Sequence, residues 1–425
     1  VHRPRSEEAV RGLVAQGPVI ARGNGRGYGD CAQNRAATLD MRAFNRMLAF
    51  DPEQGQLIAE AGVLLQDVIA TFLPQGWFPA VTPGTKYVTL GGMVAADVHG
   101  KNHHLEGSFG AFVDWIDVLG ADGEIRRCSR TENADLFGWT IGGMGLTGVI
   151  IRVSFRLRAV GSGWIKQTTF RAPDLHRAIE LFEEHSQATY SVAWIDCLAS
   201  GGQLGRSVIM LGDHVPAGEL PMGLQSAPFA TPSRKALRVP IEAPAGLLNQ
   251  ATVKMFNALY YRQQAHREGE RLVDWDSYFY PLDALIDWNR IYGRSGFVQF
   301  QCVLPLAGAT TGLSELLQAT SQTGQGSFLA VLKRLGGRAS GGFSFPFEGY
   351  TLALDMPVTR AALDLLERLD AIVIARGGRF YLAKDARMSG QTLRSADDRV
   401  PAFLSARSTL DAQVFQSSQS KRLAL

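Results

Sequence analysis

The sequence predicts an α+β protein of two domains, on three observations. Its 425 residues exceed the roughly 250–300 at which a single hydrophobic core stops growing. Residues 1–160 alternate short apolar strands with glycine-rich turns, whereas residues 161–378 carry longer strands interleaved with amphipathic helices. Residues 379–425 change character again and are expected to return to the first domain.

The elements follow in order. Pro18–Arg22 and Thr38–Met41 read as strands around a glycine-rich turn, and Leu57–Ala61 as a third. Leu64–Leu73 spaces its apolar residues by three and four, as a helix with one buried face does. Trp115–Leu119 and Ile125–Cys128 flank Asp122-Gly123, which predicts a hairpin turn with positive φ at both central residues. Ala134–Trp139 is helix-like. Ile151–Arg158 alternates, with Val153, Phe155 and Leu157 on one face and Arg152, Ser154 and Arg156 on the other. In the middle, strands are predicted at Ser191–Leu198, Ser207–Gly212, Phe297–Leu304 and Tyr350–Met356. Helices are predicted at Leu175–His185, Ala251–Gln263, Leu313–Thr320 and Ala361–Ala375. The proline-bearing segment Pro216–Pro244 is the predicted loop or lid.

A net charge of +3 lacks the concentrated basic stripe that nucleic acid demands, but leaves room for weak attraction to phosphate or anionic lipid. Cys31, Cys128, Cys197 and Cys302 lie far apart with no CxxC or metal-ligand spacing, and read as free thiols of a reducing compartment. No apolar run reaches the roughly 18 residues of a membrane span, and no signal peptide is visible. A cytoplasmic protein, at most peripheral at a membrane, is expected, with a periplasmic location left open.

The motif with most chemical content is Arg22-Gly23-Asn24-Gly25-Arg26-Gly27-Tyr28-Gly29-Asp30. Glycines at alternate positions bare successive backbone N–H groups and let an anion such as a pyrophosphate approach closely. A ligand-free glycine-rich hairpin would have the same look. Gly143-Met144-Gly145-Leu146-Thr147-Gly148 fits GxGxxG, yet a helix precedes it and a strand follows. That is the reverse of a dinucleotide fingerprint, which is therefore rejected. Pro83-Gly84-Thr85, Thr89-Leu90-Gly91-Gly92 and Asp97-Val98-His99-Gly100-Lys101-Asn102-His103-His104 complete the set. No carboxylate completes a recognisable ligand set around the three histidines, so no metal site is read there. In Phe297–Leu304 a strand puts Gln299 and Gln301 on one face and Val298, Phe300 and Cys302 on the other. Such a face could be a sugar-binding wall or simply solvent-exposed.

In order and spacing these motifs resemble the FAD domain of the vanillyl-alcohol oxidase (p-cresol methylhydroxylase-type) superfamily. Within it the chain resembles the decaprenylphosphoryl-β-D-ribose 2′-oxidase family over nearly its whole length. Tyr381-Leu-Ala-Lys384-Asp-Ala-Arg387, Trp194-Ile-Asp196 and Asp287-Trp-Asn-Arg-Ile-Tyr-Gly293 look like that family's later landmarks. The resemblance implies a two-domain fold whose substrate (cap) domain is an antiparallel sheet flanked by helices. It implies FAD contacts at Ala21, Arg22, Gly23, Asn24, Gly25, Arg26, Gly27, Tyr28, Gly29, Asp30, Cys31, Gly84, Thr85, Thr89, Leu90, Gly91, Gly92, Ala96, His99, Ile150 and Tyr381. It places Lys101, Trp194, Gln299, Gln301, Lys333, Ala353 and Lys384 around the substrate.

The reaction so implied is oxidation of a secondary alcohol of a sugar to a ketone. Lys384 is the proton acceptor, with His99 and Tyr28 positioning the hydroxyl. Burial can lower a lysine enough for it to act as a base. The expected substrate is a sugar linked to a polyprenyl phosphate, and a separate NAD(P)H-dependent reductase would complete an epimerisation. Three departures from the family matter. Arg26 stands where many relatives attach flavin through histidine, so non-covalent FAD is expected. Ala96 and Ala353 stand where the cell-wall oxidases carry cysteine, so thiol-trapping chemistry at Ala353 should be absent. The segment Pro216–Pro244 diverges. Two other readings stay open: an oxidase or dehydrogenase of a soluble sugar, alditol or aldonolactone, and a flavin-binding subunit without turnover.

Overall fold

The computed structural model describes residues 1–244, 247–338 and 340–425. β1 (Val19–Arg22) and β2 (Ala37–Asp40) pair in parallel on either side of the glycine-rich turn. β3 (Met47–Asp51), β4 (Gln56–Glu60), β5 (Trp77–Pro79), β6 (Val113–Leu119), β7 (Ile125–Ser129) and β8 (Val149–Ala159) form an antiparallel sheet. Its order is β3-β4-β8-β6-β7, with β5 on the last residues of β8. Val149, Ile150 and Ile151 are all buried, so both faces of β8 are covered at that end. Ser154 is buried too, whereas the alternation had placed it on a polar face.

The turn at Asp122-Gly123 also differs from expectation. Only Gly123 takes positive φ (82°). The loop closes through Gly123 N to Gly120 O (3.1 Å) and Gly120 N to Glu124 O (2.9 Å), so one left-handed residue suffices. Asp122 instead accepts from Glu124 N and pairs with Arg126.

β9 (Trp164–Ala172), β10 (Tyr190–Ile195), β11 (Ser207–His214), β12 (Leu237–Arg238), β13 (Gly269–Asp274), β14 (Leu285–Ile286), β15 (Phe297–Pro305), β16 (Ala330–Leu335), β17 (Gly349–Pro357) and β18 (Arg379–Phe380) follow. β12 and β14 pair with each other. The rest make one antiparallel sheet in the order β13-β9-β11-β10-β16-β17-β15-β18. The sequence pattern missed β3, β5, β9, β12, β13, β14, β16 and β18, β12 lying within the predicted loop Pro216–Pro244. In β9 the alternation is masked by a buried polar pair, Gln167 donating to Thr169 Oγ1 at 2.8 Å.

One face of this sheet is covered by the helices Leu175–Glu184, Ala309–Thr323 and Arg360–Ala375. The first and last are capped by Asp174 and Thr359. Ala193, Phe300, Cys302, Leu332 and Leu354 of the strands pack there with Leu181, Leu316 and Leu366 of the helices. Alternation therefore turns Trp194, Gln299, Gln301, Lys333, Thr351, Ala353 and Asp355 to the other face. Two features lock the sheets together. Lys86 pairs with Asp276 at 2.5 Å, and Tyr278, Phe279 and Tyr280 are buried in the first sheet's core. The closing segment ties back to the glycine-rich turn: Gln416 N donates to Val19 O (2.8 Å), and Arg422 pairs with Asp30 (2.7 Å). No helix among the described residues is long and apolar enough to cross a membrane.

Candidate active site

Residues 23–36 link β1 to β2, and the first part of this loop needs glycine at particular positions. Gly29 has φ 68°, and a Cβ there would meet Asp385 O at 2.7 Å. Gly23 crosses so close to Thr89 that a Cβ would lie 2.0 Å from Oγ1. Asn24 Nδ2 donates to Tyr87 O at 2.8 Å and joins the two loops. Among the described residues no acceptor takes the backbone N–H of Asn24, Gly25, Arg26 or Gly27. These free donors beside Gly84, where an added Cβ would meet nothing within 4 Å, suit the phosphates of a dinucleotide such as FAD. Arg26 lies over the Tyr87 ring at 5.3 Å. Three side chains of the implied contact set, those of Asp30, Leu90 and Ile150, are committed within the protein. Asp30 is paired with Arg422, and the Leu90 side chain belongs to the first core.

The segment carrying His99 is held by Asp97 in the left-handed region (φ 38°). Its buried carboxylate accepts from Ser108 Oγ (2.6 Å) and Gly110 N (2.8 Å). Gln301 Nε2 donates to His99 Nε2 at 3.1 Å and also reaches Thr351 Oγ1 at 3.2 Å. The imidazole proton therefore sits on Nδ1, which is buried with no partner among the described residues. Burial first, then Lys333, His103 and Lys384, hold His99 well below the usual range, so the ring is neutral. The three histidines do not converge: His103 Nδ1 accepts from Gly336 N and His104 Nε2 lies 2.9 Å from Ala188 O.

The polar face of the second sheet meets this segment. Register sets Gln299 opposite Asp355, Gln301 opposite Ala353, and Lys333 opposite Thr351. Gln299 Nε2 donates to Asp355, leaving Gln299 Oε1 buried without a partner among the described residues. Lys384 Nζ sits 3.7 Å from the centre of the Tyr28 ring, and Tyr28 N donates to Ala383 O at 2.8 Å. Lys101 Nζ is spent on Tyr278 O and the Tyr278 ring. No acceptor among the described residues lies within reach of Lys333 Nζ. Trp194 lines the same face, its Nε1 donating to Phe328 O at 3.0 Å and its ring 4.7 Å from Tyr260. Tyr381 Oη donates to Ala96 O at 3.0 Å and its ring lies 5.2 Å from His99. Ile150 packs in the first core.

Burial dominates the electrostatics. It pushes Lys101 down to about 7, and Lys333 and Lys384 down to about 8. Lys333 is lowered further by Lys384, while Asp355 pulls Lys384 back up. Asp355 is itself raised to about 6 by burial, against the pull of Gln299 and Lys384. The Tyr28 phenol is raised by burial and then by Asp355. The site is thus an electropositive cluster with an amine poised near neutrality.

Asp355 is the residue that sequence reasoning missed. The signal was present, because Thr351, Ala353 and Asp355 alternate in β17 as Gln299 and Gln301 do in β15.

With this geometry in place, comparison with known proteins is informative. Residues 1–129 match a family model described as an FAD binding domain. The chain is 34% identical over 99% of its length to the decaprenylphosphoryl-β-D-ribose oxidase of Mycolicibacterium smegmatis, covering 91% of that protein. It is 32% identical over 85% of its length to an uncharacterized protein of Streptomyces coelicolor, covering all of it. It is 30% identical over 40% of its length to bovine L-gulonolactone oxidase, covering 39% of that protein.

Proposed function

This chain belongs to the decaprenylphosphoryl-β-D-ribose oxidase family of FAD-dependent oxidoreductases, and we propose that it oxidises a secondary hydroxyl of a polyprenyl-phosphate-linked pentofuranose to a ketone. The observation that supports this substrate is Lys333: a half-buried amine with no counter-ion among the described residues, beside Lys101 and Lys384, with one buried carboxylate, Asp355, on the same wall. An isolated buried cation is costly. A phosphate arriving beside it would offset that cost and form charge-assisted hydrogen bonds.

Residues 23–29 would hold the phosphates of FAD non-covalently and Gly84, His99 and Tyr381 would flank its ring; bound there, FAD would supply a two-electron acceptor for the hydrogen on the carbinol carbon. Lys384 in its neutral form takes the hydroxyl proton. Asp355 offsets the ammonium that results, and the Tyr28 ring beneath it accepts the cation on its face. His99 Nδ1–H and Gln299 Oε1, both without a partner among the described residues, hold the sugar hydroxyls. Desolvation of the amine keeps it near neutrality. A separate NAD(P)H-dependent reductase would consume the keto-sugar, and the enzyme would work at the periphery of a membrane that holds its substrate.

The deciding experiment is anaerobic bleaching of the flavin by a short-chain polyprenyl phosphoribose beside ribose, xylitol and an aldonolactone. Faster bleaching by the phosphoribose supports this substrate. Faster bleaching by a soluble compound moves the chain to the second reading, a soluble sugar or lactone oxidase, which the partial likeness to L-gulonolactone oxidase favours.

Arg26 offers no nucleophile to a flavin. Acid or heat is therefore expected to release intact FAD into the supernatant. Yellow colour that stays with the denatured chain would refute non-covalent binding.

A further inference from the structure

Residues 222–267 differ from the rest of the surface in two ways. Seven of the twelve exposed large apolar residues among the described residues fall here, including Ile241 at 71%, Met255 at 62% and Leu259 at 59% exposed. The same stretch holds six Lys or Arg and a single acid, Glu242. That net +5 exceeds the +3 of the whole chain. Lys235, Lys254, Arg262 and Arg267 are exposed, and no described carboxylate lies within ion-pair distance of them. Apolar side chains in water beside unpaired cations are what an interfacial surface presents to anionic headgroups.

The patch is built rather than frayed. The helix Gln250–Gln263 is capped by Asn249 in a capping box with Thr252. It is anchored by buried Val253 and by Asn257, which donates to Asp196 at 2.7 Å. Its outward side carries Lys254, Met255, Leu259 and Arg262. Nearby, Ala243 N donates to Arg290 O at 2.8 Å, which pins the Ile241 segment against the turn that ends in Tyr292.

From this surface a file of aromatic rings leads inward. Phe256 on the helix meets Phe328 (5.7 Å), Phe328 meets Tyr292 (5.7 Å), Tyr292 meets Phe297 (4.6 Å) and Phe297 meets Tyr28 (5.4 Å). Tyr28 lies directly under Lys384. The file needs no polar partner along most of its length and joins the apolar surface to the reacting amine.

We infer that residues 237–244 and 247–262 form a docking face for an anionic lipid bilayer, and that the prenyl tail of the substrate passes from it along the Phe256–Phe328–Tyr292–Phe297 file to the site. The second clause rests on the substrate proposed above; the first does not. Docking there leaves the phosphate at Lys333 and the tail in the apolar phase, so the tail need not cross water.

The test uses the FAD-loaded protein and sedimented vesicles of phosphatidylcholine, with and without one-quarter phosphatidylglycerol. The parent is expected to partition onto the anionic vesicles and to be released by high salt, as exposed charge attraction is screened. Ile241→Ser/Met255→Ser/Leu259→Ser, and separately Lys254→Glu/Arg262→Glu, should each weaken partitioning at least tenfold. Both variants should bleach at the parental rate, within twofold, with a short-chain soluble substrate, and lose at least tenfold with long-chain substrate embedded in vesicles. Parental partitioning by both variants overturns the proposal. So does a change of the apolar variant from dimer to monomer with vesicle binding intact, which would make the face a contact between copies. Should the parent fail to oxidise the short-chain phosphoribose, the substrate reading falls while vesicle binding still decides the docking face.

Discussion

Lys384→Met is expected to stay yellow and to lose about 10²–10⁴-fold in the rate at which substrate bleaches the flavin, the scale of losing a positioned base. The side chain is buried over Tyr28, and its amine is pushed down to about 8 by burial. The reactive form is the neutral one, so the parental bleaching rate should rise with pH and level off above about 8. Lys384→Arg should not rescue, because a guanidinium keeps its proton. Asp355→Asn removes the charge that pulls the amine up, so the midpoint of the profile should move to lower pH. That shift separates an electrostatic role for Asp355 from a purely structural one. A Lys384→Met variant bleaching at the parental rate would show that the proton goes elsewhere.

Lys333→Met should act on binding instead. Loss of a charge-assisted contact worth about 1.5–3 kcal/mol predicts a KM for the phosphate-bearing substrate about 10- to 10²-fold higher, with free ribose unaffected. The free protein should also gain stability, because a desolvated cation with no partner among the described residues is replaced by an apolar side chain of similar length. The sign of the pH dependence follows from the direction of the shift. Folding lowers this lysine from 10.5 to about 8, so the unfolded chain binds more protons between those values. The penalty is complete below about 8 and is relieved as pH rises towards 10.5. The Tm advantage of the variant should therefore shrink between pH 7 and 10. An unchanged KM with unchanged Tm would return Lys333 to the status of an ordinary lysine.

Much of the architecture was legible from local pattern. Gly23, Gly25 and Gly29 announced a turn that bares its amides, and the order of helix, GxGxxG and strand excluded a dinucleotide fingerprint of the Rossmann type. The alternation of β15 correctly separated Gln299 and Gln301 from Phe300 and Cys302. These signals are local: they depend on a residue's own conformational freedom or on the fixed two-residue period of a strand.

What local pattern missed was where charge is buried. Lys333 lies in a strand that was not foreseen, and nothing in its neighbours along the chain distinguishes it from a solvated lysine. Its environment comes from register: β16 sets it opposite Thr351 and turns it from the helix-packed core towards His99. Lys101 finds its acceptor at Tyr278 and His99 its donor at Gln301, 177 and 202 residues away. Asp355 owes its raised carboxyl to burial created by the meeting of two sheets. The residue types and the turn that could cradle phosphates are thus properties of the sequence itself. Tertiary structure alone decided which amines became poised as base or anion site, because desolvation depends on what packs against a group and not on what precedes it in the chain.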